Sequence, residues 1–400
     1  MLDAPRVYFA SGIVRWFCQR AFWPLLFARL VTEVELSPFQ LVVLGTVFEA
    51  GIFLGEIPTG VVADLYSRRL SVIISFVLGG FAIILSAVAT GFGLLIVSQV
   101  LVGLAVTFYS GAETAWITDE VGSPEEVEAL ILRRSQWQYI AAVIGVGAFS
   151  GFAALTSLST ALVTIGVATM AWGLLLVVIM GEQHFTRTEG EGWSEFIDMV
   201  RSGLRIVTTQ PPLRILALVI VIGGLAKEAI DRLDIQRLDD IGFPDNTDTA
   251  LIVGVLVAVR LILGAGVLAV ARRRVAGDQV VPALAALLVI VAAGIAVLAH
   301  ADLLWLAAIG MVFQGGFHSA MQPIVTIWAN AFAPSHARAT VHSFMGQAES
   351  FGEVIGGLTL GAVAELVSVP AAMTASAALF VVAAALTMTA RPSWVDASSS

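Results

Sequence analysis

The chain has 400 residues, of which 58% are hydrophobic and 13% charged, with a net charge of −9 and a mean hydropathy of +0.91. A water-soluble fold cannot hide that much apolar surface, so soluble enzymes and binding modules are excluded. Apolar runs of roughly 20 residues, the length that crosses a bilayer as a helix, recur along the chain; the alternation that membrane-spanning strands need is absent.

In chain order the predicted spans are Val7 to Leu30, Phe39 to Val62, Leu70 to Thr90, Leu94 to Thr118, Gln136 to Leu155, Leu162 to Met180, Leu213 to Arg232, Leu251 to Ala271, Val281 to Ala299, Leu303 to Asn330, Val341 to Ala364 and Pro370 to Thr389. The expected fold class is therefore an all-α integral membrane protein, with about twelve spans in two pseudo-symmetric six-helix bundles. The only long polar stretch runs from Gly181 to Pro212. It divides the chain into a bundle at 1–180, a cytoplasmic loop at 181–212 and a second bundle at 213–400. Within the loop, Trp193 to Val207 has apolar residues at helical spacing, which predicts an amphipathic helix lying on the membrane.

Arginine placement sets the orientation, because cytoplasmic loops retain positive charge. With the N-terminus inside, the inner loops hold Arg68, Arg69, Arg133, Arg134, Arg187, Arg201, Arg205, Arg214, Arg272, Arg273, Arg274 and Arg338. An outer loop opposes Asp239, Asp240, Asp245 and Asp248 to Arg237. Both termini are thus expected in the cytoplasm, in the cell (inner) membrane. The first apolar segment, interrupted by Arg15 and Arg20, has no small-residue cleavage site and is expected to stay as a span. The single cysteine, Cys18, lies inside it with no partner for a disulfide or a metal site and reads as a packing residue.

Two internal echoes relate the halves: GVVAD at 60–64 and GVLAV at 266–270 close the second and eighth spans, and AVIGVG at 142–147 and EVIGG at 353–357 fall in the fifth and eleventh. Gly60, Asp64, Arg68 and Arg69 in GVVADLYSRR resemble the loop signature of the major facilitator superfamily. The wider string EIPTGVVADLYSRR, with SGAETAWITDEV closing the fourth span and ARATVHS opening the eleventh, resembles the branch of drug exporters that includes tetracycline and macrolide efflux proteins. That resemblance implies a monomeric antiporter working by alternating access. There are departures. Leu65 and Ser67 replace a basic residue and a glycine of the signature, Gln99 stands where many proton-driven exporters have arginine, and GVGAFSGF in the fifth span lacks the Gly-Pro pair of antiporters. Import by proton symport is therefore the alternative within transport. The Asp64 to Arg69 loop is expected to act as a conformational latch on the cytoplasmic face.

An ionisable side chain at mid-depth is costly unless it is paired or faces water, so sunken charges mark the working parts. At 1.5 Å per residue, Arg20 and Glu49 fall near the middle of the first two spans and form a candidate ion pair. Glu56 lies seven residues beyond Glu49, and Arg15 is at a similar depth on the first span. In the tenth span Gln314, His318 and Gln322, spaced by four, are expected to form one polar stripe. Glu349 and Glu353 form another in the eleventh, with Gln347 beside them. Glu349, Glu353, His318, Glu49, Arg20 and Glu56 are candidates for proton coupling; Gln314, Gln322, Arg15, Trp16, Gln347 and Arg260 are candidates for a substrate cavity. Lys227, Glu228 and Asp231 are placed near the outer surface, with a structural role. Aromatic residues such as Trp16, Phe22, Trp23 and Tyr109 are candidates to line a site for a planar or cationic compound.

The five histidines are scattered, and neither HExxH nor CxxC occurs. No enzyme activity, cofactor or metal is expected, and no nucleic-acid partner. A membrane sensor would require an added soluble domain, for which no loop is long enough. The expected partners are a small-molecule substrate, protons and membrane lipid.

Overall fold

The computed structural model describes residues 3–185, 193–243, 246–334 and 337–390. Arg187 and Asp245, assigned above to inner and outer loops, lie outside the described residues. Among these residues there is no strand, and fifteen α-helices follow one another: α1 (Ala4–Thr32), α2 (Pro38–Leu65), α3 (Arg68–Val88), α4 (Phe92–Tyr109), α5 (Ala112–Val121), α6 (Pro124–Leu155), α7 (Leu158–Ile179), α8 (Trp193–Thr209), α9 (Pro211–Ile241), α10 (Asn246–Arg274), α11 (Val280–His300), α12 (Leu304–His318), α13 (Met321–Phe332), α14 (Arg338–Leu366) and α15 (Val369–Met388). With α4–α5 and α12–α13 each counted as one broken span and α8 set apart, these make twelve segments of spanning length.

Eight segments are long and apolar enough to cross a membrane by length and composition. The exceptions are informative: α1, α9 and α14 carry the sunken charged groups, and α12 and α13 are each too short alone. Lipid-facing apolar side chains such as Ile144, Leu174, Val178, Val255 and Ile262 remain exposed on helix surfaces, as expected where hydrocarbon covers them.

Packing clusters the chain into two units. One comprises Met1–Glu35, Val47–Glu195 and Pro244–Ala258; the other comprises Leu36–Thr46, Phe196–Phe243 and Val259–Ser400. Helices α2 and α10 therefore each contribute to both. The same pairings recur inside the units: α1 packs on α6 as α9 packs on α14, α3 on α7 as α11 on α15, and α3 on α4 as α11 on α12. Numbered by span, these are first with fifth, third with sixth and third with fourth of each half, so the echoes in sequence correspond to a repeated packing plan.

Small residues make the close contacts, as is usual where lipid removes the hydrophobic drive between helices. A Cβ on Gly80 of α3 would meet the carbonyl of Gly166 on α7, and one on Gly166 would meet the carbonyl of Gly80. Gly294 of α11 and Gly310 of α12 block each other in the same way. Cys18 is buried in the first unit, 1% exposed.

Four boundaries correct the sequence expectations. Helix α9 runs on to Ile241, nine residues past the predicted end at Arg232, so Lys227 sits at the middle of the helix and not near its outer end. Helix α6 starts at Pro124, with Ser123 capping it by accepting from the Glu126 N–H, so Arg133 and Arg134 belong to a helix and not to a loop. The tenth span breaks after His318, which divides the expected Gln314, His318, Gln322 stripe between α12 and α13. Pro323 explains the break: its ring excludes a helical carbonyl at Ser319 and it offers no N–H. The fourth span breaks at Gly111, whose φ of +76° favours glycine.

Candidate functional site

In the second unit the site is built on α9. Lys227, Asp231 and Asp234 lie on one face, and Glu228 and Arg232 form an adjacent i, i+4 pair. Three glycines let α14 approach α9 almost backbone to backbone: a Cβ on Gly224 would run into the carbonyl of Glu349, and Cβ atoms on Gly352 and Gly356 would run into those of Val221 and Leu225. This approach seats Glu353 against α9, where the Lys227 Nζ donates to its Oε1 at 2.6 Å. Lys227 also lies 3.6 Å from Asp231, and Arg260 of α10 reaches Asp231 and Asp234, each at 3.7 Å. Arg260 is housed by Gly315 of α12, where a Cβ would overlap the guanidinium. The Arg232 Nε donates to Glu228 at 2.9 Å, and Gly45, in the first turns of α2, leaves room for that pair. The Gln322 amide donates to Glu349 at 3.0 Å.

The cluster thus brings together Glu349, Glu353, Arg260 and Gln322 from the candidates. It centres, however, on Lys227 and Asp231, which the sequence reading had put at the surface. Gln314 is buried with its Nε2 unpartnered, and His318 is half-buried with its ring 6.2 Å from Phe380. Gln347 is half-buried on α14.

In the first unit the break at Gly111 sets Tyr109 and Glu113 on either side of a bend, and the Tyr109 hydroxyl donates to Glu113 at 2.5 Å. Arg134 of α6 donates to the same carboxylate oxygen at 2.5 Å and lies 3.6 Å from the centre of the Tyr8 ring. Gly12 opens its path, because a Cβ there would meet the Arg134 Cδ. Glu113 is 2% exposed, and its Oε1 has no partner. Arg15 stacks over Tyr109 at 3.7 Å and donates to the Ser75 hydroxyl at 3.3 Å, which itself donates to the Ala105 carbonyl.

The remaining candidates are placed as follows. Arg20 is exposed with its guanidinium 4.3 Å from the Trp16 ring, and Trp16 also packs on Tyr139. Glu49 is half-buried and Glu56 exposed. In the loop signature Arg68 binds Asp119 of α5, with Asp64 at 3.7 Å. Arg69 donates to the carbonyls of Met180 and Val177. Glu182 accepts from the Arg69 N–H and the Ser67 hydroxyl, and Trp116 donates to the Gly181 carbonyl, so the chain leaving α7 is fastened onto the loop. A Cβ at Gly60 would meet nothing within 4 Å, so close packing does not account for that glycine. Gln99 is buried, with its amide near Ser86 and Ser98 at 3.5 and 3.4 Å.

The sequence reading did not single out Glu113 or Asp234. For Asp234 the signal was present, seven residues after Lys227 and thus on its face. For Glu113 it was a lone carboxylate in an apolar run of spanning length.

The family model described as Major Facilitator Superfamily matches residues 8–357. The chain belongs to the major facilitator superfamily. No curated protein sequence matches it. Among solved structures, a variant of the nucleoside transporter NupG superposes with a TM-score of 0.81 at 11% identity, covering 97% of this chain and 99% of that one. A bacterial homologue of the human lysosomal transporter Spinster, in an inward-facing and unoccupied conformation, superposes with a TM-score of 0.72 at 15% identity, covering 99% and 97%. A POT family transporter in complex with 5-aminolevulinic acid gives 0.73 at 11% identity, covering 98% and 96%. At these identities the likeness is one of fold. Together with the family match and the long apolar helices, it gives the architecture of a multi-pass membrane transporter.

Proposed function

We propose that this superfamily member is a proton-coupled secondary transporter that exports a small, largely apolar organic compound by alternating access. It would act as a monomer in the cell membrane with both termini in the cytoplasm. The observation that carries the coupling is the pair of half-buried Lys227 and buried Glu353, with its surroundings. Around it α9 and α14 supply five carboxylates, Glu228, Asp231, Asp234, Glu349 and Glu353, against three cations, Lys227, Arg232 and Arg260. Uncompensated carboxylates in a bilayer interior are most simply neutralised by protons, and a lysine that can release one carboxylate and hold another provides a way to pass them on. Glu353 is the leading proton carrier, with Glu349 beside it; His318, Arg20, Glu49 and Glu56 stand behind them. The loop of Asp64, Arg68 and Arg69 serves as the conformational latch.

Export rests on the resemblance of EIPTGVVADLYSRR and its companion strings to the drug exporters. The second reading, import by symport, is favoured by Gln99 and by the missing Gly-Pro pair of the fifth span. A test begins with growth of a sensitised host on a panel of toxic compounds, with and without the protein. A compound to which the protein confers resistance is then followed in inverted vesicles with an acidic interior. Export predicts accumulation driven by the pH gradient. Glu353→Gln should abolish that accumulation while leaving exchange without a gradient intact, because exchange needs the conformational change but no net proton movement. Accumulation in right-side-out vesicles with an acidic exterior would replace export by symport, and a fully active Glu353→Gln, Glu349→Gln double variant would move the coupling site elsewhere.

A further inference from the structure

Every charged side chain discussed for the second unit has an opposite charge or an amide donor beside it. Arg15 in the first unit does not. It sits at position 12 of the 29-residue helix α1, near the middle of that helix, and among the described residues it makes no ion pair. Its contacts are the Ser75 hydroxyl and the face of Tyr109. The nearest buried carboxylate is already engaged, since Glu113 accepts from both Arg134 and Tyr109. One carboxylate thus answers for two guanidinium groups and of these contacts only Arg134, and a buried cation without a counter-charge costs several kcal/mol.

The side chain is nonetheless held in place. Ser75 is oriented by donating to the Ala105 carbonyl, and the Tyr109 ring is fixed by its hydroxyl on Glu113 and by Phe76 packed edge-on at 5.9 Å. Arg15 forms one wall of a cavity of about 40 Å3, whose other polar lining is Gln19, Ser75 and Thr169 and whose apolar lining includes Phe22, Trp23 and Phe76. That volume holds about one water or a small head group, and not a whole solute. Thus an oriented, uncompensated guanidinium with three amide or hydroxyl neighbours faces a socket of head-group size, and aromatic rings flank it.

We propose that this cavity is a head-group socket in which Arg15 receives the carboxylate, or a similar compact anion, of an amphipathic organic acid, with Phe22 and Trp23 against the first carbons next to that group. Arginine suits this role because its planar donors meet two carboxylate oxygens at once. The anion would supply the missing counter-charge, so binding and neutralisation of Arg15 are one event. Gln19 lines the same cavity and can donate to the same group, while Ser75 holds the guanidinium that receives it. The proposal narrows the transport reading above to organic acids and rests on it only for the statement that the ligand is carried.

The test is equilibrium binding to the purified full-length protein in lipid nanodiscs, without any gradient. The probes are phenylacetate, phenylbutyrate and octanoate, each beside its primary amide, which keeps the shape and removes the charge. At least one acid should bind the native protein about 10- to 100-fold more tightly than its amide, the range expected for hydrogen bonds to a charged group. Arg15→Gln should erase that preference and leave the amide's affinity unchanged, and Arg15→Lys should retain part of it. Ser75→Ala should reduce it by a few-fold. Should Arg15→Gln fail to yield monodisperse protein, Arg15→Lys and Ser75→Ala carry the test, and full acid preference in both would overturn the socket. The proposal is also overturned if no acid is preferred by the native protein, or if Arg15→Gln keeps the preference. Because no gradient is present, a failure of proton coupling leaves these results untouched, and a loss of acid preference leaves the coupling at Glu353 standing.

Discussion

The helix pairs α1–α6 and α9–α14 occupy equivalent places in the repeated packing plan, and both close through glycine. Gly145 brings α6 against the carbonyl of Phe17, as Gly352 and Gly356 bring α14 against α9. Their charges are distributed in opposite senses. The first pair, with α5, holds Arg15 and Arg134 against Glu113; the second, with α10, holds five carboxylates against three cations. Backbone packing has been preserved between the halves while the chemistry on it has diverged. An excess of positive charge suits an anionic solute and an excess of carboxylates suits protons, so under the proposed function the two requirements of coupled transport would fall on separate bundles.

The sharpest way to break this comparison is at the hub of the second cluster. Lys227→Ala strands Glu353, leaves Asp231 with Arg260 alone and should cost about 3–5 kcal/mol, whereas Lys227→Ala with Glu353→Ala should cost less than the single change. Thermal unfolding in detergent compares the two, and strictly additive losses would mean that the pair is not coupled. In the first cluster, Glu113→Ala should cost about 3 kcal/mol by leaving Arg134 unpaired, and Tyr109→Phe about 1 kcal/mol, because it removes one of two donors to the carboxylate. If both changes are neutral, Glu113 does not organise that unit. At the level of the frame, Gly356→Ala should cost about 1–3 kcal/mol by forcing α14 off the Leu225 carbonyl; unchanged unfolding would show that the two helices can part freely. The smallest effect is expected at the Arg29–Glu33 pair, 3.4 Å apart with Glu33 partly exposed. There Glu33→Ala should shift stability by less than about 0.5 kcal/mol, since Arg29 keeps Ser159 and the Ser86 and Ala89 carbonyls.

Much of this was legible in the sequence. Apolar run length and spacing predicted the spans and the amphipathic α8, and the list of sunken charges already contained Arg15, Arg260 and Glu353. What could not be read was which of them meet. Hydropathy falls away after Ala226 because Lys227 to Asp240 is rich in charge, so the seventh span was cut short and its hub moved to the surface. Only the packing against α14 and α15, with the ion pairs to Arg260, shows why that polar stretch remains helical. Arg134 was assigned to a loop for the analogous reason: its partner Glu113 lies 21 residues away, and the helical continuity that aims it depends on the Ser123 cap. The break in the tenth span was available in Pro323, but periodicity alone runs across it.

Cys18 has a practical consequence. As the chain's single thiol, shielded within the first unit, it makes the native sequence a ready background for introducing a reporter thiol anywhere else. Left alone, it works as a clock. An alkylating reagent can reach it only when the helices around it come apart, so the rate of modification in lipid counts those openings. Counting them with and without a bound organic acid would measure how firmly a ligand in the Arg15 socket holds its own bundle together.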